Sequence, residues 1–185
     1  MDYDFIDGNI TYWILKSSST KINYCCCLDL IDENVKTVYI PEKVLYNKKE
    51  YEIIGFTHMF LTTIYESSIE IINIDNKNKF LKSIDNVIYS VNRDFKDLLS
   101  LLIIPPNYKS DNIYINIDNL DSIHYKSLIY PKYVKNIFIK SKLNLYIHYS
   151  SDLNSIKNLK FKSIRSIIIN NKIHYRDKNN FWKIL

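Results

Sequence analysis

The sequence contains no alanine and no glutamine, and only two of its 185 residues are glycine. With β-branched and aromatic residues in place of alanine, the composition favours strands over helices. No run of 18 or more apolar residues occurs, which excludes a helix that spans a membrane. The acidic start, MDYDFIDGNITYW, lacks a charged segment followed by an apolar one, so no secretory signal is evident. We expect a cytoplasmic chain, with a surface location open through unconventional export.

Cysteine is scarce, and its placement argues against disulfide and metal chemistry. The three cysteines are consecutive, Cys25–Cys27. Neighbours in a strand point to opposite faces, and the spacing is not the C-x-x-C of zinc sites, so reduced thiols are predicted. The chain also lacks a phosphate-binding glycine loop, an H-E-x-x-H motif and a nucleophile elbow. We therefore expect no metal, no cofactor and no catalysis.

Acidic residues become rare in the last third of the chain. Residues 1–125 carry 12 basic and 18 acidic side chains, a net charge of −6. Residues 126–185 carry 13 basic and 2 acidic side chains, a net charge of +11. A compositional bias toward lysine does not explain why the acids stop, so the asymmetry indicates an anionic partner at the C-terminal end.

A short template recurs along the chain: an apolar residue, two variable residues, an apolar residue, a variable residue and Ile. Its five copies are VKTVYI (35–40), IEIINI (69–74), SDNIYI (110–115), VKNIFI (134–139) and IRSIII (164–169). Such periodicity is typical of repeat proteins, whose units stack and bury a shared core. The apolar first and fourth template positions are predicted to fill the core, and strand alternation predicts an outward face for the third and fifth.

Three of the four histidines occur in the same tripeptide, Ile-His-Tyr, at 123–125, 147–149 and 173–175. The first two follow their template segment at the same distance, because Ile115 precedes Ile123 by eight residues and Ile139 precedes Ile147 by eight. The third follows Ile169 by only four. We predict that the histidines lie in a row along successive repeats and do not converge on a metal ion.

Other segments are predicted to close or interrupt the repeat. In 80–104, the apolar stretches IDNVIYS and DLLSLLII flank a polar VNRDFK, which indicates a β-hairpin. The N-terminal segment is predicted to form a hairpin or small sheet, and alternation in 22–30 places the even-numbered residues on one face. The C-terminal NNFWKIL (179–185) is expected either to cap the last coil, through Trp182, Ile184 and Leu185, or to form an edge for self-association.

These motifs resemble the BspA-type leucine-rich repeats. VKTVYIP (35–41), followed by KKEYEIIGFTHMF (48–60), is similar to the opening unit of that family, L-x-x-I-x-I-P with a later I-G-x-x-A-F. Residues 78–107 resemble its hairpin insertion, and IDGNITYWIL (6–15) resembles its N-terminal cap. The likeness covers roughly residues 5–175. The chain departs from the family in lacking the alanine of that motif and in lacking proline after the third to fifth template strands.

The resemblance implies a mainly β fold: an irregular leucine-rich-repeat solenoid with an N-terminal β cap and a β-hairpin insertion. One domain is expected, with the cap at 1–34, the solenoid at 35–178, the insertion at 80–104 and the cap or edge at 179–185. The family implies non-catalytic protein binding, commonly in adhesion or host-surface contact.

The fifth template position predicts a binding surface, which we call the outward row: Tyr39, Asn73, Tyr114, Phe138 and Ile168. Its neighbour row, at the third position, is Thr37, Ile71, Asn112, Asn136 and Ser166. Rigid aromatic anchors contribute much of the energy of protein interfaces, so the outward row is the predicted contact with an unknown protein. Coverage by an insertion or by another chain, and compositional bias, are the alternatives.

A second function remains open, which is binding of an anion, chiefly nucleic acid, through segment 126–185. The bases that would contact the phosphates alternate with aromatics, and they are Lys160, Lys162, Arg165, Lys172, Arg176 and Lys178. No known nucleic-acid motif accompanies them. Binding to random single-stranded nucleic acid, if it weakens steeply with salt, would favour this function.

Overall fold

The computed structural model describes residues 3–15, 22–92, 98–124, 126–143, 146–148, 166–169, 172–176 and 182–184. The helices are α1 (His58–Glu66) and α2 (Lys126–Ile129). The strands, in chain order, are β1 (Phe5–Asp7), β2 (Ile10–Leu15), β3 (Asn23–Leu30), β4 (Thr37–Ile40), β5 (Lys43–Tyr46), β6 (Lys49–Phe56), β7 (Ile71–Ile74), β8 (Leu81–Ile84), β9 (Val87–Val91), β10 (Leu99–Ile103), β11 (Asn112–Asn116), β12 (Leu120–His124), β13 (Asn136–Lys140), β14 (Tyr146–His148), β15 (Ser166–Ile169), β16 (Lys172–Arg176) and β17 (Trp182–Ile184). The prediction of a mainly β protein is confirmed.

The N-terminal sheet contains both the strands of the segment 1–34 and strands that follow the first template segment. Its strand order is β1-β2-β3-β6-β5. β1, β2 and β3 form an antiparallel meander, as predicted for the N-terminal segment, and Gly8 supplies the positive φ (58°) of the tight turn between β1 and β2. β3 then pairs in parallel with β6. The meander therefore shares one sheet with β5 and β6, which follow the first template segment in the chain.

The predicted face of β3 is wrong. Alternation over 22–30 placed the even-numbered residues on one face, but the structure buries Cys25 and Cys27 together with Leu28 and Leu30. Two consecutive buried residues, Cys27 and Leu28, mark the place where pairing with β2 skips one residue. Such a β-bulge shifts the alternation of the strand by one position, and a pattern of period two does not foresee it.

Template segments form strands that pair in register, as the repeat predicts. β4 is parallel to β7, and Val38 lies opposite Ile72. β11, β13 and β15 are also parallel, with Ile113 opposite Ile137, which in turn lies opposite Ile167. The five segments are divided between two sheets, however, since β4-β7 is a two-stranded sheet and the other three belong to the sheet β11-β13-β15-β16-β17.

The insertion explains this division. Asn86 Oδ1 accepts a hydrogen bond from the Ile72 N–H (2.9 Å), and Asn86 Nδ2 donates one to the Glu70 carbonyl (2.7 Å). Ser83 Oγ donates to the Ile72 carbonyl at 3.2 Å. These side chains occupy the hydrogen-bonding positions that the next repeat strand would take on β7. Beyond the insertion, the Asn107 N–H donates to the Ile69 carbonyl (3.1 Å) and so connects the chain to the segment before β7.

The hairpin predicted within 80–104 is confirmed, with one correction. β9 and β10 are antiparallel, and they belong to the sheet β14-β12-β10-β9-β8. IDNVIYS is not a single strand, since β8 ends at Ile84 and β9 begins at Val87. Asp85 and Asn86 between them have positive φ (52° and 60°), which is typical of a two-residue hairpin turn.

The histidine row holds for two of the three tripeptides. β12 and β14 are parallel, with Ile123 opposite Ile147 and His124 opposite His148. His174 lies instead in β16, which is antiparallel to β15 and belongs to the other five-stranded sheet. Its shorter spacing leaves too few residues to cross to the sheet of β12, so the chain turns back beside β15.

Among the residues that the structure describes, the buried side chains form two clusters and not the single continuous core that the repeat implies. One cluster lies in the N-terminal half and includes Ile40, Ile53 and Ile72. The other is built around β10 to β13. Tyr130 is partly buried, packs against both clusters, and stacks on Tyr65 with ring centroids 4.5 Å apart.

Candidate protein-binding face

The side chains of the outward row lie where strand alternation predicts. Tyr39 and Tyr114 are 55% and 67% exposed, and Asn73 is also exposed. Phe138 and Ile168 are partly buried. The structure places the row in two groups: Tyr39 lies opposite Asn73, and Tyr114, Phe138 and Ile168 lie side by side on β11, β13 and β15. The face is therefore two patches separated by the insertion.

The larger patch is built around a stacked aromatic pair. The rings of Tyr114 and Phe138 are nearly parallel (10°), with centroids 4.7 Å apart, because adjacent parallel strands hold equivalent positions about 4.8 Å apart. Beneath them Ile115 and Ile139 are buried. A shallow cleft of about 220 Å³ runs along these residues and reaches Ile168.

The neighbour row borders this pair with a polar contact. Asn136 Nδ2 donates a hydrogen bond to Asn112 Oδ1 (2.8 Å) across β11 and β13. On the same two strands, Asn116 and Lys140 border the cleft from the other side. The stacked rings thus lie between two polar rows, which is the arrangement of an apolar interface centre with a polar rim.

Tyr39, in the smaller patch, is fixed by a hydrogen bond. Its hydroxyl donates to Asp75 Oδ2 at 2.8 Å. The pKa of the Asp75 carboxyl is lowered, chiefly because it accepts the Lys77 N–H and also because it accepts the Tyr39 hydroxyl. The same bond raises the pKa of Tyr39. Tyr39 is therefore an exposed aromatic with a preset orientation.

Only two of the six bases of the alternative anion site belong to the residues that the structure describes. Lys160, Lys162, Arg165 and Lys178 lie outside the described residues. Lys172 and Arg176 are the first and last residues of β16, opposite Ile169 and Trp182. That assignment stays a prediction.

No metal site is found within the ranges that the structure describes, since no three His, Cys, Asp or Glu side chains cluster closely enough to hold an ion. Cys25, Cys26 and Cys27 are not joined in disulfide bonds. Neither α1 nor α2 is long and apolar enough to cross a membrane, which takes about 20 residues, and the other described segments contain no such helix.

One feature was not predicted from the sequence. A cleft of about 390 Å³ lies between β4 and the turn at residues 7–9. Repeat periodicity gives no signal for it, because it depends on how the N-terminal meander is placed relative to the first template strand.

Comparison with known proteins gives a structural likeness but no match in sequence. No protein-family model matches the chain, and no curated protein matches it. Among solved structures, the chain is similar to a leucine-rich cell-surface protein from Faecalibacterium prausnitzii, with 10% sequence identity and a TM-score of 0.30. The match covers 80% of this chain and 76% of that one. Similarity at this level assigns no role to any residue.

Proposed function

We propose that the chain is a non-catalytic protein-binding repeat module, in which the parallel template strands form an irregular solenoid and a partner protein binds their outward face. The observation that carries this proposal is the Tyr114–Phe138 pair, which is stacked, largely open to solvent on its Tyr114 side, and seated over buried isoleucines. Aromatic side chains of this kind bury large areas at a low entropic cost. We propose adhesion or host-surface contact as the setting, following the resemblance to the BspA-type repeats.

The face offers contact area and hydrogen bonds but no positioned acid–base pair. Its residues are tyrosine, phenylalanine, isoleucine, asparagine and lysine. Their regular spacing across β11, β13 and β15 matches an extended, complementary surface better than it matches a small substrate. The non-catalytic proposal follows from this arrangement.

The test compares binding with stability in one double variant. Tyr114→Ser combined with Phe138→Ser should abolish capture of the partner from host or native-cell extract, because it removes both rings. The melting temperature should fall by no more than about 6 °C, since an exposed aromatic pair contributes about 0.5–1.5 kcal/mol and 1 kcal/mol shifts the melting temperature of a chain of this size by about 2–4 °C. Proteins that the unmodified chain captures and the double variant does not are then purified, and their affinity for the two chains is measured.

Tyr133→Ser is the matched control. Tyr133 is 55% exposed and lies outside the outward row, so its replacement should leave both capture and melting unchanged. A fall of 10 °C or more in the double variant would show that the rings belong to the core. Capture that is equal for all three forms would contradict the proposed face.

A further inference from the structure

We propose that the outer edge of β4 binds an extended peptide of a partner protein, which adds as a strand beside residues 37–39. This site shares Tyr39 with the outward row, but it uses the backbone of the edge strand and not the side chains that the row presents on the sheet face. An edge strand exposes a row of N–H and C=O groups, and an extended peptide can complete the ladder.

The hydrogen-bond pattern shows which groups point outward. The Lys36 carbonyl accepts from the Ile71 N–H (3.1 Å), and the Ile40 carbonyl accepts from the Asp75 N–H (2.9 Å). Alternate residues of a strand direct their backbone groups to opposite sides, so the even-numbered residues of β4 bond to β7. The N–H and C=O groups of Thr37 and Tyr39 therefore point away from β7. Among the described strands, β4 pairs with β7 alone.

The outer edges of β7 and β4, which form the two-stranded sheet, have different surroundings. On β7 the outer positions are occupied by the side chains of Asn86 and Ser83, which imitate a neighbouring strand. On β4 the outer positions face the 390 Å³ cleft, whose opposite wall is the turn at residues 7–9. One edge is closed by specific contacts, and the other opens onto a cleft within the size range of ligand sites, about 300–1,000 Å³.

The lining of the cleft defines the chemistry of the peptide. Ile10, Tyr12 and Val38 line it and are at most 3% exposed, so they present an apolar floor. Asp7 lies on the rim, is exposed, and forms no salt bridge with any residue in the described ranges. Lys43, also on the rim, is paired with Glu50 at 3.1 Å, which offsets its charge. The site therefore fits a segment that alternates apolar residues with lysine or arginine.

The site is short. Pro41 lines the cleft and has no N–H, so the ladder cannot continue past it. The edge offers two N–H donors and two carbonyl acceptors, from Thr37 and Tyr39. These groups suit a core of about three to five peptide residues, given the pairing geometry of strands.

Amide hydrogen exchange tests the free edge directly. In the free chain the Thr37 and Tyr39 amides should exchange at least 10-fold faster than those of Val38 and Ile40. Adding the fluorescein-labelled pentapeptide Val-Lys-Val-Lys-Val should slow exchange at Thr37 and Tyr39. Protection of these two amides in the free chain at low concentration would overturn the proposal. Protection that grows with protein concentration would assign the edge to a second copy of the chain, and would overturn it as well.

Fluorescence anisotropy with matched peptides and variants tests recognition. Thr37→Pro removes an outward N–H but none of the bonds to β7, and should weaken binding of the pentapeptide at least 10-fold. Asp7→Asn, at an exposed position, should weaken it about threefold and reduce its salt dependence. A backbone N-methylated pentapeptide, and Val-Glu-Val-Glu-Val, should bind at least 10-fold more weakly than the parent peptide.

The Tyr114→Ser and Phe138→Ser double variant should bind the pentapeptide as the unmodified chain does, so failure of this proposal is distinguishable from failure of the outward face. Equal binding of the parent and N-methylated peptides would overturn strand addition. If Thr37→Pro does not fold, the binding of the pentapeptide by Asp7→Asn and the hydrogen-exchange pattern decide whether the peptide binds at the edge of β4. Absence of binding at millimolar peptide overturns the proposal.

Discussion

Cys25 and Cys27 show how burial sets the chemistry of single side chains in this chain. Both are fully buried. Burial, together with the neighbouring Cys26, raises the pKa of the Cys25 thiol to about 12. Burial is also the main reason why the pKa of Cys27 is raised well above its usual value. Because the thiolate is the nucleophile, both thiols are unreactive at neutral pH.

Burial should protect Cys25 and Cys27 from alkylation in the native protein. At pH 8, iodoacetamide should leave Cys25 and Cys27 of the native protein unmodified for a time in which all three cysteines react in 8 M urea. Mass spectrometry of the digested protein gives the extent at each site. Equal rates in native and unfolded protein at Cys25 and Cys27 would contradict their burial.

The same shifts fix the direction of a pH effect on stability. A thiol whose pKa is raised in the folded state is protonated in both states below its unfolded pKa, about 8.5. As the pH rises above that value, ionisation favours the unfolded chain, and stability is lost progressively toward the folded pKa. The free energy of unfolding should therefore fall between pH 8.5 and pH 10, and Cys27→Val should reduce that fall.

At the scale of elements, strands with an uninterrupted alternation could be predicted from the sequence. The template positions of β4, β7, β11 and β13 give correct inward and outward residues, because each strand is short and regular. β3 could not be predicted in this way, since its bulge depends on pairing with β2. The outward row therefore followed from local pattern alone, and the cleft beside β4 did not.

The helix α1 was missed, although its signals are present. Thr57 accepts the Phe60 N–H through its hydroxyl at 3.1 Å, as an N-cap does. The buried residues Phe60, Leu61, Ile64 and Tyr65 follow the spacing of one helical face. We did not predict this helix because the composition favours strands. Residues 58–66 are helical because their buried face packs against β3.

The insertion turn provides the prediction at this scale. Asn86→Gly keeps the freedom to adopt positive φ but removes the two hydrogen bonds to the edge of β7. We expect a loss of about 1–3 kcal/mol in the free energy of unfolding by urea, because partly buried backbone groups lose their partners. Asp85→Gly, at the adjacent positive-φ position, is the control and should change stability by no more than about 1 kcal/mol. Equal losses in both variants would show that the hydrogen bonds contribute little.

At the scale of the molecule, the chain forms two series of parallel strand pairs, and its segments contribute to them in turn. One contains the template strands, and the other contains the pairs β3–β6, β10–β12 and β12–β14. The constant eight-residue offset from Ile115 to Ile123 and from Ile139 to Ile147 predicted this correspondence. The division of the template strands between two sheets could not be predicted, because it depends on the long-range contacts of Asn86. The antiparallel direction of β16 had one indication in the sequence, which is the spacing of four residues between Ile169 and Ile173 instead of eight.

The central claim is that recurring template segments stack in register and bring their fifth positions together on an open face. Nuclear Overhauser effects between the ring protons of Tyr114 and Phe138 test it most directly, since these residues are 24 positions apart in the sequence. We expect strong effects between the two rings, because their centroids are 4.7 Å apart. A water-soluble paramagnetic agent should broaden the ring resonances of Tyr114, because this side chain is exposed. Rings without mutual effects, or a Tyr114 ring protected from the agent, would contradict it.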